Sequence, residues 1–327
     1  MSRHAQVLRY LIAHRAKREE SQFVIVGLGL IAPFFLYIFA GVAAQLLLRH
    51  GAEQQRWLDA FIFYVALPAL LFQSVRIVPP GAFSLLIFVA LTAAVTGMMY
   101  AVGWLIGRGN TNNDHPAVFG LAASYSNIGY MGPTLTVAVL GPQAGAPAAF
   151  VFCADVLLIF TIWPAMTGSG TSGGARIVHS LRKVVTHPFI IATLSGLVFA
   201  WSGIALPAFI DMPLSGFQNA AAPAALFSLG LTLARNRGGR LEGRLGVCLA
   251  VKLIGHPLAV SLVFTLISGF DPVWVATAII MGALPPAANV YVMARGEGIS
   301  VPLSARTVLY GTAFSTITLP VVISLLT

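Results

Sequence analysis

Apolar residues in this chain come in long unbroken runs, and its polar residues gather in short stretches between them. A helix needs about 20 apolar residues to cross the hydrocarbon core of a bilayer. Such runs cover approximately 24–48, 57–75, 83–107, 116–139, 146–166, 187–206, 217–234, 244–268, 272–295 and 302–326. They are continuous rather than alternating, which excludes a β-barrel. The pattern predicts an all-α integral membrane protein of about ten transmembrane helices. Its longest polar interruption, 167–186 (TGSGTSGGARIVHSLRKVVT), is rich in Gly and Ser and separates two groups of five runs. The organisation expected is an N-terminal basic tail or amphipathic interfacial helix over 1–23, a first five-helix repeat over 24–166, a cytoplasmic linker over 167–186 and a second five-helix repeat over 187–327.

The two groups resemble each other at a nearly constant offset. PFFLYIFAG from Pro33 aligns with PFIIATLSG from Pro188, with Gly41 over Gly196. ALPALLF around Pro68 aligns with AAPAALF around Pro223, with Ala66/Ala221, Ala69/Ala224, Leu71/Leu226 and Phe72/Phe227 in register. The fourth and ninth runs open on Pro116 and Pro272. An odd number of spans per repeat sends the second copy through the membrane in the opposite sense. Inverted repeats are the architecture by which secondary transporters reach outward-open and inward-open states of similar energy.

Composition agrees with the pattern. The chain is 57% hydrophobic and only 9% charged, against about 25% charged residues in a soluble domain. The net charge of +9 has no zinc-finger spacing or aromatic-basic motif beside it, so nucleic acid is not an expected partner; such charges set topology and meet anionic lipid headgroups. Arg176, Arg182 and Lys183 lie between runs five and six, Arg235, Arg237, Arg240 and Arg244 between seven and eight, and Arg49 and Arg56 between one and two, whereas the opposite loops carry little beyond Arg76. The positive-inside rule then places the linker in the cytoplasm and both termini on the far side of the membrane. The five basic residues of the tail argue the other way. Cys153 and Cys248 both lie in apolar runs and read as packing, and neither a metal site nor a cofactor motif is expected.

Two spans are interrupted at their middles. Span 4 contains SNIGYMGPTL, with Asn127, Gly129, Gly132 and Pro133; span 9 contains LPPAANVY, with Pro285, Pro286, Asn289 and Tyr291. A proline inside a helix removes an amide donor and clashes with the carbonyl four residues back. In hydrocarbon the freed backbone groups must be met by protein or by water in a cavity. One reading is that these prolines only kink packed helices. The other is that two half-helix N-termini, each with free amides and a positive dipole end, face a small anion such as a carboxylate, with Asn127 and Asn289 orienting it. Pro68 and Pro223 lack neighbouring Gly and Asn clusters and read as kinks in a supporting bundle.

Intramembrane charges are costly and usually face a partner or a wet cavity. Asp155 in span 5 and Lys252 and His256 in span 8 are the candidates for proton coupling or charge tuning, and a structural Asp155–Lys252 pair is the competing reading. Arg306, near the start of span 10, reads as structural or interfacial. Tyr125, Tyr130 and Gln73 are weaker candidates. An enzyme is not expected: there is no HExxH motif and no pair of intramembrane aspartates.

At the two interruptions the sequence resembles the auxin efflux carrier family, which includes plant PIN-type exporters and bacterial permeases. The resemblance rests on SNIGYMGPTL, similar to an Asn-x-Gly-x-x-Gly-x-Pro pattern, although here Pro133 follows Gly132 directly. It rests also on LPPAANVYVMARGEG and on the five-plus-five layout. It implies the bile-acid symporter/PIN-like fold, with a scaffold of spans 1, 2, 6 and 7 and a transport domain of spans 3–5 and 8–10. Spans 4 and 9 would cross at Pro133 and at Pro285 and Pro286, near an organic-anion substrate, and the scaffold would mediate a homodimer. The short linker is similar to that of bacterial PIN-like permeases. The combined expectation is a secondary active transporter, an efflux permease of small organic anions, working by elevator-like alternating access. The alternatives are a sodium-coupled symporter of the bile-acid transporter fold, disfavoured because the crossings contain no Asp or Glu, and a channel or membrane sensor.

Overall fold

The structure, a computed structural model, describes residues 32–48, 52–77, 82–109, 114–167, 186–235, 240–267 and 269–326. The expected tail or amphipathic helix at 1–23, and all but the ends of the linker at 167–186, lie outside the described residues. Twelve helices appear among the described residues, and no strand. The first group comprises α1 (Ala32–Leu48), α2 (Ala52–Phe61, continuing through a π-helical turn Ile62–Ala66 into Leu67–Val75), α3 (Ala82–Arg108), α4 (Pro116–Ser124), α5 (Gly132–Leu140) and α6 (Gly145–Thr167, entered by a 3-10 turn Pro142–Ala144). The second comprises α7 (Pro188–Ser202), α8 (Ala208–Arg235), α9 (Gly243–Ala250, a π-helical turn Val251–Gly255, then His256–Leu266), α10 (Pro272–Ala283), α11 (Asn289–Glu297) and α12 (Val301–Leu326). Expected spans 4 and 9 are thus each two helices, α4 with α5 and α10 with α11.

Helix starts follow local chemistry. His115, His187 and Asp271 each precede a proline and each accept an amide two residues on, through Nδ1, Nδ1 and Oδ1 at 3.2, 3.3 and 2.7 Å. A proline in the first turn forfeits no hydrogen bond, because its amide would be unpaired there in any case. Pro68 and Pro257 each follow a π-helical turn, which widens the coil where the ring would otherwise strike the carbonyl below it.

Two helices start earlier than the apolar runs suggested. α2 begins at Ala52 rather than 57, and α8 at Ala208 rather than 217. The extra turns are polar because each helix satisfies the other. Gln55 and Asp59 of α2 bond Ser228 of α8 at one end. At the other end, Gln73 Nε2 and Arg76 Nη2 of α2 meet Asp211 Oδ1 of α8 at 2.9 and 2.7 Å.

In lipid, helices associate through close packing of small residues rather than through hydrophobic transfer. Gly103 and Gly107 of α3 pack antiparallel on α4. A Cβ added at Gly103 would lie 2.4 Å from the Phe119 carbonyl oxygen, and one at Gly107 2.9 Å from Pro116 Cα. α1 crosses α8 more tightly still, where a Cβ at Gly41 would sit 2.1 Å from the Phe227 oxygen and one at Gly230 2.0 Å from the Ile38 oxygen. At the crossing of α7 with α2, a Cβ at Gly196 would meet the Phe72 oxygen at 2.9 Å. Gly41 and Gly196 are the residues aligned between the halves, and so are Phe72 and Phe227, so the same contact occurs twice.

α2 packs on α7 and α8, while α3–α6 pack among α9–α12. Large apolar side chains point outward, Leu47, Trp57, Phe209, Leu266 and Leu325 among them. Five helical stretches (Gln55–Val75, Leu86–Arg108, Pro142–Thr167, Gly243–Leu266 and Val301–Leu326) are long and apolar enough to cross a bilayer unaided. The protein is membrane-embedded, and its described residues are built from helices without strands.

Candidate functional site

The two helix breaks meet. Between α4 and α5 the backbone extends through Tyr125 to Asn127, and between α10 and α11 through Leu284 to Ala287. Asn127 N donates to Pro285 O at 2.7 Å and Ala287 N to Tyr125 O at 2.9 Å, an antiparallel bridge centred on Ser126 and Pro286. Chain directions are therefore opposed at the crossing. The carbonyl ends of α4 and α10 and the amide ends of α5 and α11 are held together by two backbone hydrogen bonds. Pro286 donates nothing, and Gly311 of α12 makes room for its ring: a Cβ there would lie 2.3 Å from Pro286 Cδ. Among the described residues, the amides of Gly129 and Tyr130 ahead of α5, and of Ala288 and Asn289 at the start of α11, have no backbone acceptor.

The two asparagines are placed differently. Asn127 is 1% exposed, and neither its Nδ2 nor its Oδ1 has a hydrogen-bond partner. The neighbouring Ser126 Oγ, and Thr277 Oγ1 on α10, are likewise buried without a partner. Leaving a buried amide unpaired costs about 1–3 kcal/mol, so a native group in this state calls for a bound molecule or water. Asn289, by contrast, is hydrogen-bonded by the Tyr125 side chain. Tyr125 thus proves closer to the crossing than an ordinary packing aromatic.

The buried charges surround the crossing without contacting one another as a pair. Asp155 of α6 accepts from Thr96 Oγ1 of α3 at 2.8 Å. Lys252, fully buried in the π-helical turn of α9, donates to the Gly282 carbonyl at the C-terminal end of α10 and lies 3.3 Å from His256 Nδ1. A cation there complements the negative end of the helix dipole. Asp155 and Lys252 attract each other electrostatically, yet no direct salt bridge joins them. The direct ion pairs among the described residues are Arg76–Asp211 and Arg306–Glu242, at 2.7 and 2.8 Å. Arg306 thus has a structural partner, and Gln73 belongs with Arg76 and Asp211 rather than with the crossing.

A small cavity of about 80 Å³ opens between the crossing and the α2–α8 pair. From the crossing side it is lined by Tyr130, Asn289 and Tyr291, and from the other side by Asp59, Ser228 and Thr232. Asn127 does not line it. A Cβ added at Gly129 would lie at ordinary contact distance from Phe152 and Phe189, and one at Gly132 would collide with Met281. Pro133 occupies the first turn of α5. Sequence reasoning missed Asp59, which lies inside the apolar run at 57–75. The available signal was its i+4 spacing from Gln55 on one face of α2.

A family model described as "Membrane transport protein" matches residues 27–171 and 175–323. A Rhizobium meliloti (strain 1021) protein named "Putative malonate transporter" is 35% identical over 297 residues, covering 89% of this chain and 92% of the relative. A Methanothermobacter thermautotrophicus protein named "Uncharacterized transporter" is 24% identical over 276 residues, 83% of this chain and 88% of the relative. These matches run the length of the helical bundle, and the family match spans both helix breaks. The chain belongs to the membrane transport protein family of auxin efflux carriers, and is a transporter rather than an enzyme.

Proposed function

We propose that the protein is a secondary active transporter of small organic anions whose substrate site is the crossing of the two broken helix pairs. The observation that carries this reading is Asn127: a fully buried carboxamide with neither atom paired, beside the amide ends of two helices. Donors left open at two N-terminal helix ends suit an anion. The substrate-contacting set is Asn127, Gly129, Gly132, Pro133, Pro285, Pro286, Asn289 and Tyr291. Asp155, Lys252 and His256 set the charge behind it.

The halves act as two inverted five-span repeats, 24–166 and 187–327, joined by the 167–186 linker. The glycine contact repeated at Gly41–Phe227 and Gly196–Phe72 and the antiparallel bridge between the breaks support that symmetry. α1, α2, α7 and α8 serve as the scaffold, which also carries the homodimer contact. α3–α6 with α9–α12 move against it as an elevator. The polar seam between α2 and α8 and the packing of α3–α5 mainly among α9–α12 favour this division, with α6 meeting α2 and α7 where the two parts touch. The protein sits in the bacterial inner membrane with its linker in the cytoplasm, and exports its anion.

Malonate is the first probe, given the name of the Rhizobium meliloti relative. Purified protein in liposomes preloaded with unlabelled malonate is expected to exchange it for labelled malonate, with or without a sodium gradient. Asn127→Ala is expected to lose that exchange while inserting normally. Unimpaired exchange by the variant would remove the site assignment, and strict sodium dependence would favour the sodium-coupled alternative.

A further inference from the structure

The carboxylate of Asp59 faces the proposed anion site across the small cavity. It accepts a hydrogen bond from Ser228 Oγ of α8. Gln55, one turn earlier on α2, fixes that serine. Its Nε2 reaches the Ser228 carbonyl oxygen at 3.1 Å, the Ser228 hydroxyl at 2.9 Å and Thr232 Oγ1 at 2.8 Å. Arg235 attracts Asp59 electrostatically, but its Nη1 donates to Gln55 Oε1 at 2.7 Å and its Nε to Gln45 Oε1 at 3.1 Å. Among the described residues, Asp59 is in no direct ion pair. The other titratable groups facing the cavity are Tyr130 from the crossing and Tyr291 from α11, and neither supplies a positive charge.

An anion held by Asn289 and the α11 amides therefore shares a space of about 80 Å³ with a carboxylate. Two like charges about 4 Å apart, at an effective dielectric of about 20, repel strongly enough to cost roughly a thousandfold in affinity. Two carboxylates sharing one site resolve this by keeping a proton between them. We propose that Asp59 is the proton-binding group of the transport cycle, taking up one proton from solvent when the organic anion enters the cavity and releasing it when the anion leaves. The proposal rests on the anion-carrier reading and adds its coupling ion. The proton goes onto a carboxylate oxygen of Asp59, converting a repelling acceptor into an O–H donor for the anion. No other bond is made or broken. Placed on the α2–α8 wall rather than among the helices that hold the substrate, the group senses occupancy from the static side of the cavity.

The sign follows from linkage. Anion binding favours protonated Asp59, so affinity is highest at low pH and falls as pH rises. The test is calorimetric titration of the purified full chain with malonate in two buffers of different ionisation enthalpy, at about pH 6.5 and about pH 8.5, where the ligand is predominantly dianionic. Wild type is expected to take up close to one proton per malonate and to bind about a hundredfold more weakly at the higher pH. Asp59→Asn is expected to take up none and to bind equally at both pH values, at least as tightly as wild type does at the lower one. Ser228→Ala, which keeps the carboxylate, is expected to retain proton uptake. Undiminished proton uptake by Asp59→Asn would assign the proton to the Asp155, Lys252 and His256 group and overturn the proposal. Malonate binding by wild type without proton uptake, or only with sodium, would overturn it while leaving the anion reading intact. A wild type that binds no malonate at either pH would remove both.

Discussion

The two helix breaks are built on one plan and finished differently. Each joins an apolar half-helix ending in carbonyls to a short helix beginning with open amides, and the two extended strands between them hydrogen-bond to each other. At the first break, α4 closes with Ser124 Oγ on the Gly120 carbonyl at 2.8 Å, and Asn127 is left unpartnered. At the second, the end of α10 is held by the ammonium of Lys252, and Asn289 is held by Tyr125. The second break is locked by fixed polar contacts. The first keeps an open donor and acceptor, which is the condition expected of a group waiting for a ligand. A repeat architecture supplies two similar breaks, and side chains decide which has its asparagine already held and which leaves it open.

The largest test of that difference is Lys252. Removing one partner of a buried charged system leaves the remainder uncompensated and typically costs about 3–5 kcal/mol. Lys252→Met strips the cation from the α10 carbonyl end and leaves Asp155 without its electrostatic counterpart. A pronounced fall in the thermal midpoint of the detergent-solubilised protein is expected, larger than for any other single change at the crossing. Adding Asp155→Asn to Lys252→Met is expected to recover much of the loss, because the paired neutral state buries no unbalanced charge. A double variant no better than the single one would mean that Lys252 acts only by capping α10.

The asparagines come next, and here the two breaks are expected to differ in sign. Asn127→Ala removes an unpaired buried amide, whose burial costs about 1–3 kcal/mol, so the ligand-free protein is not expected to lose stability. Its affinity for a carboxylate is expected to fall about ten- to a hundredfold, the range for losing a hydrogen bond to a charged group. Asn289→Ala breaks the contact with Tyr125 and is expected to lower the ligand-free melting temperature as well as binding. Thermal melts of both variants with and without malonate separate these outcomes, since a ligand that binds only the folded state raises the midpoint by mass action. If both variants melt below wild type by the same amount, the contrast between the breaks is wrong.

Much of this was legible in the chain. Pro285–Pro286 and the Asn127–Pro133 cluster announce breaks in otherwise apolar runs, because proline and glycine act on the backbone, whose geometry is local. The offset that aligns Gly41 with Gly196 marks positions where side chains would collide with a crossing helix, and the close approaches fall on those residues. Partnering was not legible. Whether Asn127 or Asn289 stays open depends on Tyr125 reaching one and nothing reaching the other, a tertiary result with no sequence signature. Asp59, inside the run expected at 57–75, was passed over for a related reason, since its partner Ser228 comes from α8. A rule that counts apolar residues treats a polar turn as the end of a span, whereas α2 and α8 extend by satisfying each other's polar groups. A direct Asp155–Lys252 pair was one of the two readings, but their hydrogen bonds go to Thr96 and Gly282, because each is nearer a neutral acceptor or donor than its opposite charge.

The smallest effects give the finest discrimination, and three glycines around the breaks form a graded series. An added methyl at Gly311 would lie 2.3 Å from Pro286 Cδ, part of a ring that cannot swing aside. Gly311→Ala must displace the second break or α12, and overpacking of that kind costs typically about 1–3 kcal/mol. At Gly132 the obstacle is Met281 Sδ at 2.6 Å, the end of a flexible side chain, so Gly132→Ala is expected to be milder because methionine re-rotates readily. At Gly129 a methyl would meet only Phe152 and Phe189 at 3.6 and 3.7 Å, ordinary contact distances, and φ there is not positive. Gly129→Ala is therefore expected to change stability by less than about 0.5 kcal/mol, as for a substitution that breaks no packing or hydrogen bond. Its effect on malonate exchange is then the informative quantity. Normal melting with impaired exchange would place the open amides of Gly129 and Tyr130 against the substrate, where a methyl obstructs the approach. Normal melting with normal exchange would move the anion towards Asn127 and the start of α11, and would leave the first break's glycines as turn residues only.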